Sequence, residues 1–332
     1  MKRVPFAALN ALPEAFRGGA LAVGNFDGMH RGHHALFAAT RSEAEAHGGK
    51  ALMLTFEPHP RAVLRPNEPL FCLTPLSAKA RLAAAFGLDG IVVARFDAAF
   101  AAMSAADFVA SELVGRLGIH AVAVGHDFHF GHDRLGSPDF LSQAGAQYGF
   151  TTRIVDAVTD SEGRPYSASR IRRLLAAGDI VEANRALGYR WFVIGDVQHG
   201  DKRGRTLGYP TANIRLSAEC GLALGIYAVT LTRRDGRVLP AVASYGRRPT
   251  FDNGAVVLEV HVFDFSDDIY DEEVCVTLHA YLRGEERFDS IDALIAQMDR
   301  DSHAARAILA EAGPGTPIDI RLTSGFGLQG PE

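Results

Sequence analysis

Short apolar runs alternate with Ala-rich stretches of helical spacing through the first half of the chain. Ala20–Gly24, Ala51–Phe56, Gly90–Phe96 and Ala121–Gly125 read as strands, with a weaker run at Thr152–Val155. Ser77–Phe86 and Ala105–Leu117 read as helices between them. Apolar strands separated by helices predict an α/β domain with a Rossmann-like parallel sheet. Two further helices, Ser169–Ala177 and Ile180–Leu187, close this half, and residues 1–187 are expected to form one domain.

The pattern then turns to strands: Trp191–Val197, Ile226–Arg233, Val238–Tyr245, Val256–Phe265 and Val274–Leu282. Turns rich in Gly, Asp and Asn separate them. A small antiparallel β-barrel over residues 188–312 follows. Ile291, Leu294, Ile295, Met298, Ala305, Ile308 and Leu309 recur at helical spacing, so a helix should pack this stripe on the barrel. Residues 313–332 are rich in Gly and Pro and are expected to be a flexible tail. With 332 residues the chain can bury two separate cores.

Ligands on parallel sheets bind at the carboxyl ends of the strands. Three polar turns fall there: Gly24–His34, Glu57-Pro58-His59-Pro60 and Gly125-His126-Asp127-Phe128. The first is the most informative. Gly24, Phe26, Asp27, Gly28, His30, Gly32 and His33 lie between a strand and a helix start. Backbone N–H groups and the helix dipole make such a junction an anion site. Imidazoles there can donate to phosphate oxygens, and Gly32 lets the backbone approach a ligand. Zinc ligation by His30, His33 and His34, or an ordinary helix start, stays open for this motif alone.

Adenylyl transfer asks a protein to align charged groups and to neutralise developing charge. Imidazoles, guanidiniums, a helix N-terminus and a metal ion suit that task. Ser167-Ala168-Ser169-Arg170-Ile171-Arg172 supplies hydroxyls and arginines at a helix start, although a plain Ser cap with surface arginines would look the same. His126, His129 and His132 could hold a metal, but their Gly and Phe neighbours suit a loop over a planar heterocycle equally well.

Gly195–Lys202 resembles a P-loop only superficially, because Asp201 stands at the lysine position. Gly204–Asn213 is more telling. Gly204 and Gly208 permit close approach to phosphates beside Arg205, and Thr211 and Asn213 offer hard oxygen ligands for Mg²⁺. Glu259 interrupts an apolar strand on the face of Val257, His261 and Phe263. It could accept a hydroxyl proton, or serve as an exposed or ion-paired strand residue.

Net charge is -5, which argues against a nucleic-acid partner. No apolar run is long enough to span a membrane. The opening Met1-Lys2-Arg3 is followed by Pro5, Asn10, Pro13 and Glu14 and does not read as a signal peptide. Cys72, Cys220 and Cys275 are far apart, which fits the cytoplasm and disfavours a disulfide framework. The expected partners are small molecules, with weak self-association at most.

These motifs together resemble the bacterial bifunctional riboflavin kinase/FMN adenylyltransferase family. The likeness spans about residues 10–310. It rests on Gly24–His33, Thr55–Pro60, Val124–Phe128, Gly204–Asn213, Gly246–Phe251, Leu258–His261 and Leu282–Phe288. The resemblance implies a nucleotidyltransferase domain with His30 and His33 on ATP phosphates, and with Ser167, Ser169 and Arg172 as its phosphate motif. His59, Asp127 and Phe128 would lie on the flavin side. It implies a kinase barrel in which Gly204, Arg205, Gly208, Thr211 and Asn213 handle ATP and Mg²⁺ and Glu259 is the general base. Riboflavin would become FMN and then FAD, with one ATP used at each step.

Two departures stand out. Ala168 replaces a hydroxyl usual in the family's motif, and Ser244-Tyr245 stand where Asn is common. The rival readings are an adenylyltransferase with a decayed kinase and a flavin-binding sensor without turnover.

Overall fold

Strands buried on both faces need no alternation, and Ala20–Val23 shows the consequence: all four residues are buried. The computed structural model describes residues 3–199, 208–247 and 256–324. It divides into two compact units, Arg3–Ser167 and Ala168–Glu332.

The first unit is a six-stranded sheet in the order β1-β4-β3-β2-β5-β6. The strands are β1 Phe6–Ala8, β2 Ala20–Val23, β3 Ala51–Glu57, β4 Gly90–Arg95, β5 Ala121–Gly125 and β6 Thr151–Val155. Every pairing is parallel. The sequence pattern missed only β1, whose three residues are too few to show a period. The crossover helices include α1 Arg31–His47, α2 Pro60–Leu64 and α3 Leu76–Ala85. The expected helix over 105–117 is present, but Phe108–Arg116 is wound as a π-helix.

The chain leaves β2 toward β3 on one side and later returns to place β5 on the other. The strand order therefore reverses between β2 and β5, and a crevice opens at their carboxyl ends. The turns at Gly24–His30 and Gly125–Phe128 both leave from that point.

The second unit is a closed barrel in the order β10-β11-β8-β7-β12-β9. Its strands are β7 Phe192–Gln198, β8 Ala212–Arg215, β9 Gly225–Thr232, β10 Val238–Arg247, β11 Val256–Val262 and β12 Glu273–Arg283. The long helix Ile291–Glu311 packs on it through Ala305, Ile308 and Leu309 against Ala228, Val242 and Phe263. Ile291, at the start of the expected stripe, is instead 64% exposed.

Two features depart from the sequence reading of the domain edges. The helices Ala168–Ala176 and Ile180–Leu187 belong to the barrel's unit. The reason is local: the Asn184 side chain donates to the Leu278 carbonyl (3.0 Å) and accepts from Trp191 N–H (2.7 Å). The backbone of Ala223 also donates to the Leu175 carbonyl. Second, Pro317–Ser324 is a helix within the segment 313–332 that composition marks as a tail. Buried Asp319 holds it by accepting from the backbone N–H groups of Arg190 (2.8 Å) and Thr316 (2.7 Å).

Candidate active sites

The turn after β2 is held from below. Gly28 N–H donates to Thr74 Oγ1 (2.7 Å), and Asp27 Oδ1 accepts from Thr74 N–H (2.9 Å). Asp27 is 3% exposed, and its carboxylate braces the turn. Gly28, Phe26 and Met29 take positive φ (82°, 47° and 38°), a conformation a non-glycine residue keeps only where its surroundings enforce it.

His30 is the N-cap of α1, yet its side chain makes no capping bond. Its ring stacks on that of His33 at 3.9 Å, and Phe26 meets the His33 ring edge-on at 5.2 Å. A Cβ at Gly32 would come within 3.1 Å of the His30 ring, which is why glycine stands there. The Nδ1 atoms of His30 and His33 are buried without a hydrogen-bond partner. Leaving such atoms unpaired is costly, so both are open to a further hydrogen-bond partner.

Burial pushes the His30 imidazole down to about 4, with help from the charge of His34 and against that of Asp127. Burial lowers His33 well below its ordinary value, and the charges of His30, His34 and Lys79 add to this. Both rings are therefore neutral at pH 7. His34 points elsewhere: its Nε2 bonds the Met29 carbonyl and its ring packs on Phe86. Among the described residues no group of three His, Cys, Asp or Glu side chains is placed to hold a metal ion.

Asp127 follows β5 at the same crevice and is exposed. Phe128 stacks on Phe130 at 5.5 Å, and a bridge from Phe130 to Gly136 closes the loop. The His59 Nδ1 accepts from Arg61 N–H (3.1 Å), so that ring caps α2. A Cβ at Gly32 would lie 3.8 Å from the Tyr166 carbonyl, so the residue before Ser167 reaches the turn. Ser169 and Arg172 are on the helix Ala168–Ala176 of the second unit.

In the barrel, β8 and β11 set Asn213 directly opposite Glu259, and β10 sets Ser244 opposite Glu259 on the other side. Asn213 is 5% exposed and donates to the Thr211 carbonyl (3.3 Å). His261 shares the Glu259 face, and its Nδ1 lies 2.9 Å from the Pro210 carbonyl. Beside it opens a cavity of about 450 Å³ lined by Gly208, Tyr209, His261, Phe263, Asp299 and Arg306, among others. Tyr209 packs on His261 at 4.7 Å and donates to Asp299. The Arg306 guanidinium lies over the Phe263 ring at 4.1 Å. Gly204 and Arg205 lie outside the described residues.

Sequence reasoning missed Lys79, Thr55 and Thr74 around the first turn, and Tyr209, Asp299 and Arg306 around the cavity. Only Thr55 and Tyr209 sit inside motifs, and neither was singled out there. The others are ordinary helix, strand or loop residues whose neighbours are far away in sequence.

The family model for FAD synthetase matches residues 12–169, and that for riboflavin kinase matches residues 187–309. The chain is 40% identical over 302 residues to a bifunctional riboflavin kinase/FMN adenylyltransferase of Pseudomonas fluorescens, covering 91% of this chain and 96% of that protein. It is 38% identical over 298 residues to the protein of that name from Escherichia coli K12, covering 90% and 95%. A crystal structure described as a macrolide-efflux protein of Streptococcus pneumoniae superposes with a TM-score of 0.81 at 29% identity, covering 91% of this chain and 99% of that one. Among the described residues of this chain, no helix is long and apolar enough to cross a membrane.

Proposed function

The chain belongs to the bifunctional riboflavin kinase/FMN adenylyltransferase family, and on that premise we propose that it phosphorylates riboflavin to FMN and adenylylates FMN to FAD. One observation carries this reading. Each compact unit holds its own polar constellation, the neutral His30–His33 pair in one and the Asn213–Glu259 pair in the other.

In the kinase step, the ribityl 5′-hydroxyl attacks the γ-phosphorus of ATP and ADP leaves. Glu259 takes the hydroxyl proton. Thr211 and Asn213 are hard oxygen donors fitted to a Mg²⁺ ion, which would neutralise phosphate charge when bound. The cavity beside His261 and Tyr209 suits the adenine end of the nucleotide, since it pairs ring faces with polar edges. Gly208 belongs to the phosphate side, together with Gly204 and Arg205. This activity is assigned to residues 188–312.

In the adenylyl step, an FMN phosphate oxygen attacks the α-phosphorus of ATP and pyrophosphate leaves. No side chain need form a covalent bond. The Gly24–Gly32 turn and the α1 N-terminus hold the phosphates. His30 and His33 donate to phosphate oxygens from fixed positions, which stabilises the charge that builds up. Ser167 supplies a further donor from this unit, and the family resemblance adds Ser169 and Arg172 to the same phosphate motif. Asp127 and Phe128, with His59, border the flavin. This activity is assigned to residues 1–187. A cytoplasmic setting fits the three free cysteines.

Labelled ATP tests the assignment. With riboflavin and γ-labelled ATP, the FMN formed should carry the label. With FMN and α-labelled ATP, the FAD formed should carry it. Label in neither flavin would refute the reading.

A further inference from the structure

Lys79 is the least expected residue of the first unit. It lies on α3, where Ala78 to Ala83 and Ala85 are all buried, and it is itself 2% exposed. Taking an ammonium out of water costs several kcal/mol unless partners compensate. Its Nζ donates to Thr55 Oγ1 (3.1 Å) and Glu57 Oε1 (3.2 Å). Thr55 in turn donates to the Asn25 carbonyl (3.1 Å), inside the turn that carries His30 and His33. One buried ammonium thus reaches the backbone of the phosphate turn through a single hydroxyl.

We propose that Lys79 is a positioning residue for adenylyl transfer: through Thr55 it fixes the Asn25 segment of the phosphate turn, and its ammonium adds a positive charge near His33. The inference rests on the adenylyltransferase reading of that turn. A structural ion pair would need only Glu57, which is 35% exposed. The link to Thr55 is what the turn requires. The charge also has a consequence for the imidazoles, because Lys79 is among the groups that hold His33 neutral. The other charges that act on the pair are those of His34 on α1 and Asp127 beyond β5, while the Asp27 carboxylate in the turn itself is turned to Thr74 and Cys72. A neutral imidazole can offer its N–H to a phosphate without trapping the anionic product by a full charge.

The test compares Lys79→Met, Lys79→Arg and Thr55→Val in the full chain. FAD formation from FMN and ATP is followed across pH, and FMN formation from riboflavin serves as the fold control. Lys79→Met should slow FAD formation about 10- to 100-fold. It should also move the acid limb of the pH profile upward, because His33 then protonates more readily. Lys79→Arg should keep the acid limb in place. Thr55→Val should slow FAD formation with an unmoved limb. FMN formation should stay within about twofold of wild type in all three.

A wild-type rate and profile for Lys79→Met would overturn the proposal. So would a loss of rate with no shift of the limb, since a structural lysine predicts that. Should Lys79→Met fail to fold, Thr55→Val decides, and a wild-type rate in that variant overturns the turn-fixing role. Failure of the wild-type chain itself to make FAD from FMN would overturn the adenylyltransferase reading instead.

Discussion

Asn213 and Glu259 face each other across adjacent antiparallel strands, as register partners of β8 and β11. Directly opposed side chains in such a ladder are neighbours by construction. A metal-type oxygen donor and a carboxylate are thereby held together by backbone hydrogen bonds, not by a mobile loop. Ser244 sits across from Glu259 on the other flank.

Replacement of the base follows from that arrangement. Glu259→Gln should lower FMN formation about 100-fold or more, the usual worth of a positioned general base. FAD formation from supplied FMN should be unaffected. Flavin chromatography separates the two, and undiminished riboflavin consumption would remove Glu259 from the chemistry.

His30→Ala should act in the opposite sense. Losing one preorganised donor should reduce FAD formation about 100- to 1,000-fold. FMN formation should stay nearly intact, because the two constellations lie in separate compact units. Equal loss of both activities would contradict the two-site account.

Acid should weaken the fold through the same histidines. Burial holds His30 at about 4 against 6.5 for an unperturbed imidazole. Between those values the unfolded chain binds more protons than the folded one. Stability is therefore complete above pH 6.5 and falls as pH drops toward 4. His30 alone contributes about 3 kcal/mol by this route. His33 acts in the same direction, and half-buried His279 does so in the barrel's unit. Thermal melts across this window should show the decline, and a flat profile would contradict it.

Ala168→Ser restores the hydroxyl that the sequence lacks beside Ser167 and Ser169. One further neutral hydrogen bond to a phosphate is worth about 1 kcal/mol, so FAD formation should rise up to about fivefold. A drop would mean that the alanine is preferred at this helix start.

Asn184→Ala should destabilise the barrel's unit by about 1–3 kcal/mol, since it strips partners from Trp191 N–H and the Leu278 carbonyl. Differential scanning calorimetry would show a lowered transition, and an unchanged one would show that water replaces the amide.

The sheet was legible in the sequence because β2 to β5 are short, apolar and separated by helices of regular spacing. The barrel strands were legible except Ala212–Arg215. Its four residues follow a Pro-Thr step and look like loop, and only pairing with β11 makes them a strand. The placement of Ala168–Leu187 was not legible, because one of the two partners of Asn184 lies 94 residues away at Leu278. The helix Pro317–Ser324 was hidden by Gly and Pro around it, and rests on one aspartate that reads as surface until Arg190 is seen beside it. At the sites, the motif residues could be named in advance, but not the groups beneath them. Nothing about Lys79 on an Ala-rich helix announces that its ammonium reaches Thr55.

The measurement that bears most directly on the account is a chromatographic time course of flavins, with purified protein, ATP and Mg²⁺, started in parallel from riboflavin and from FMN. The account predicts FAD from both starts, with FMN rising and then falling in the riboflavin reaction. FAD from the FMN start alone, or FMN that accumulates without FAD, would contradict the claim that one chain carries both sites.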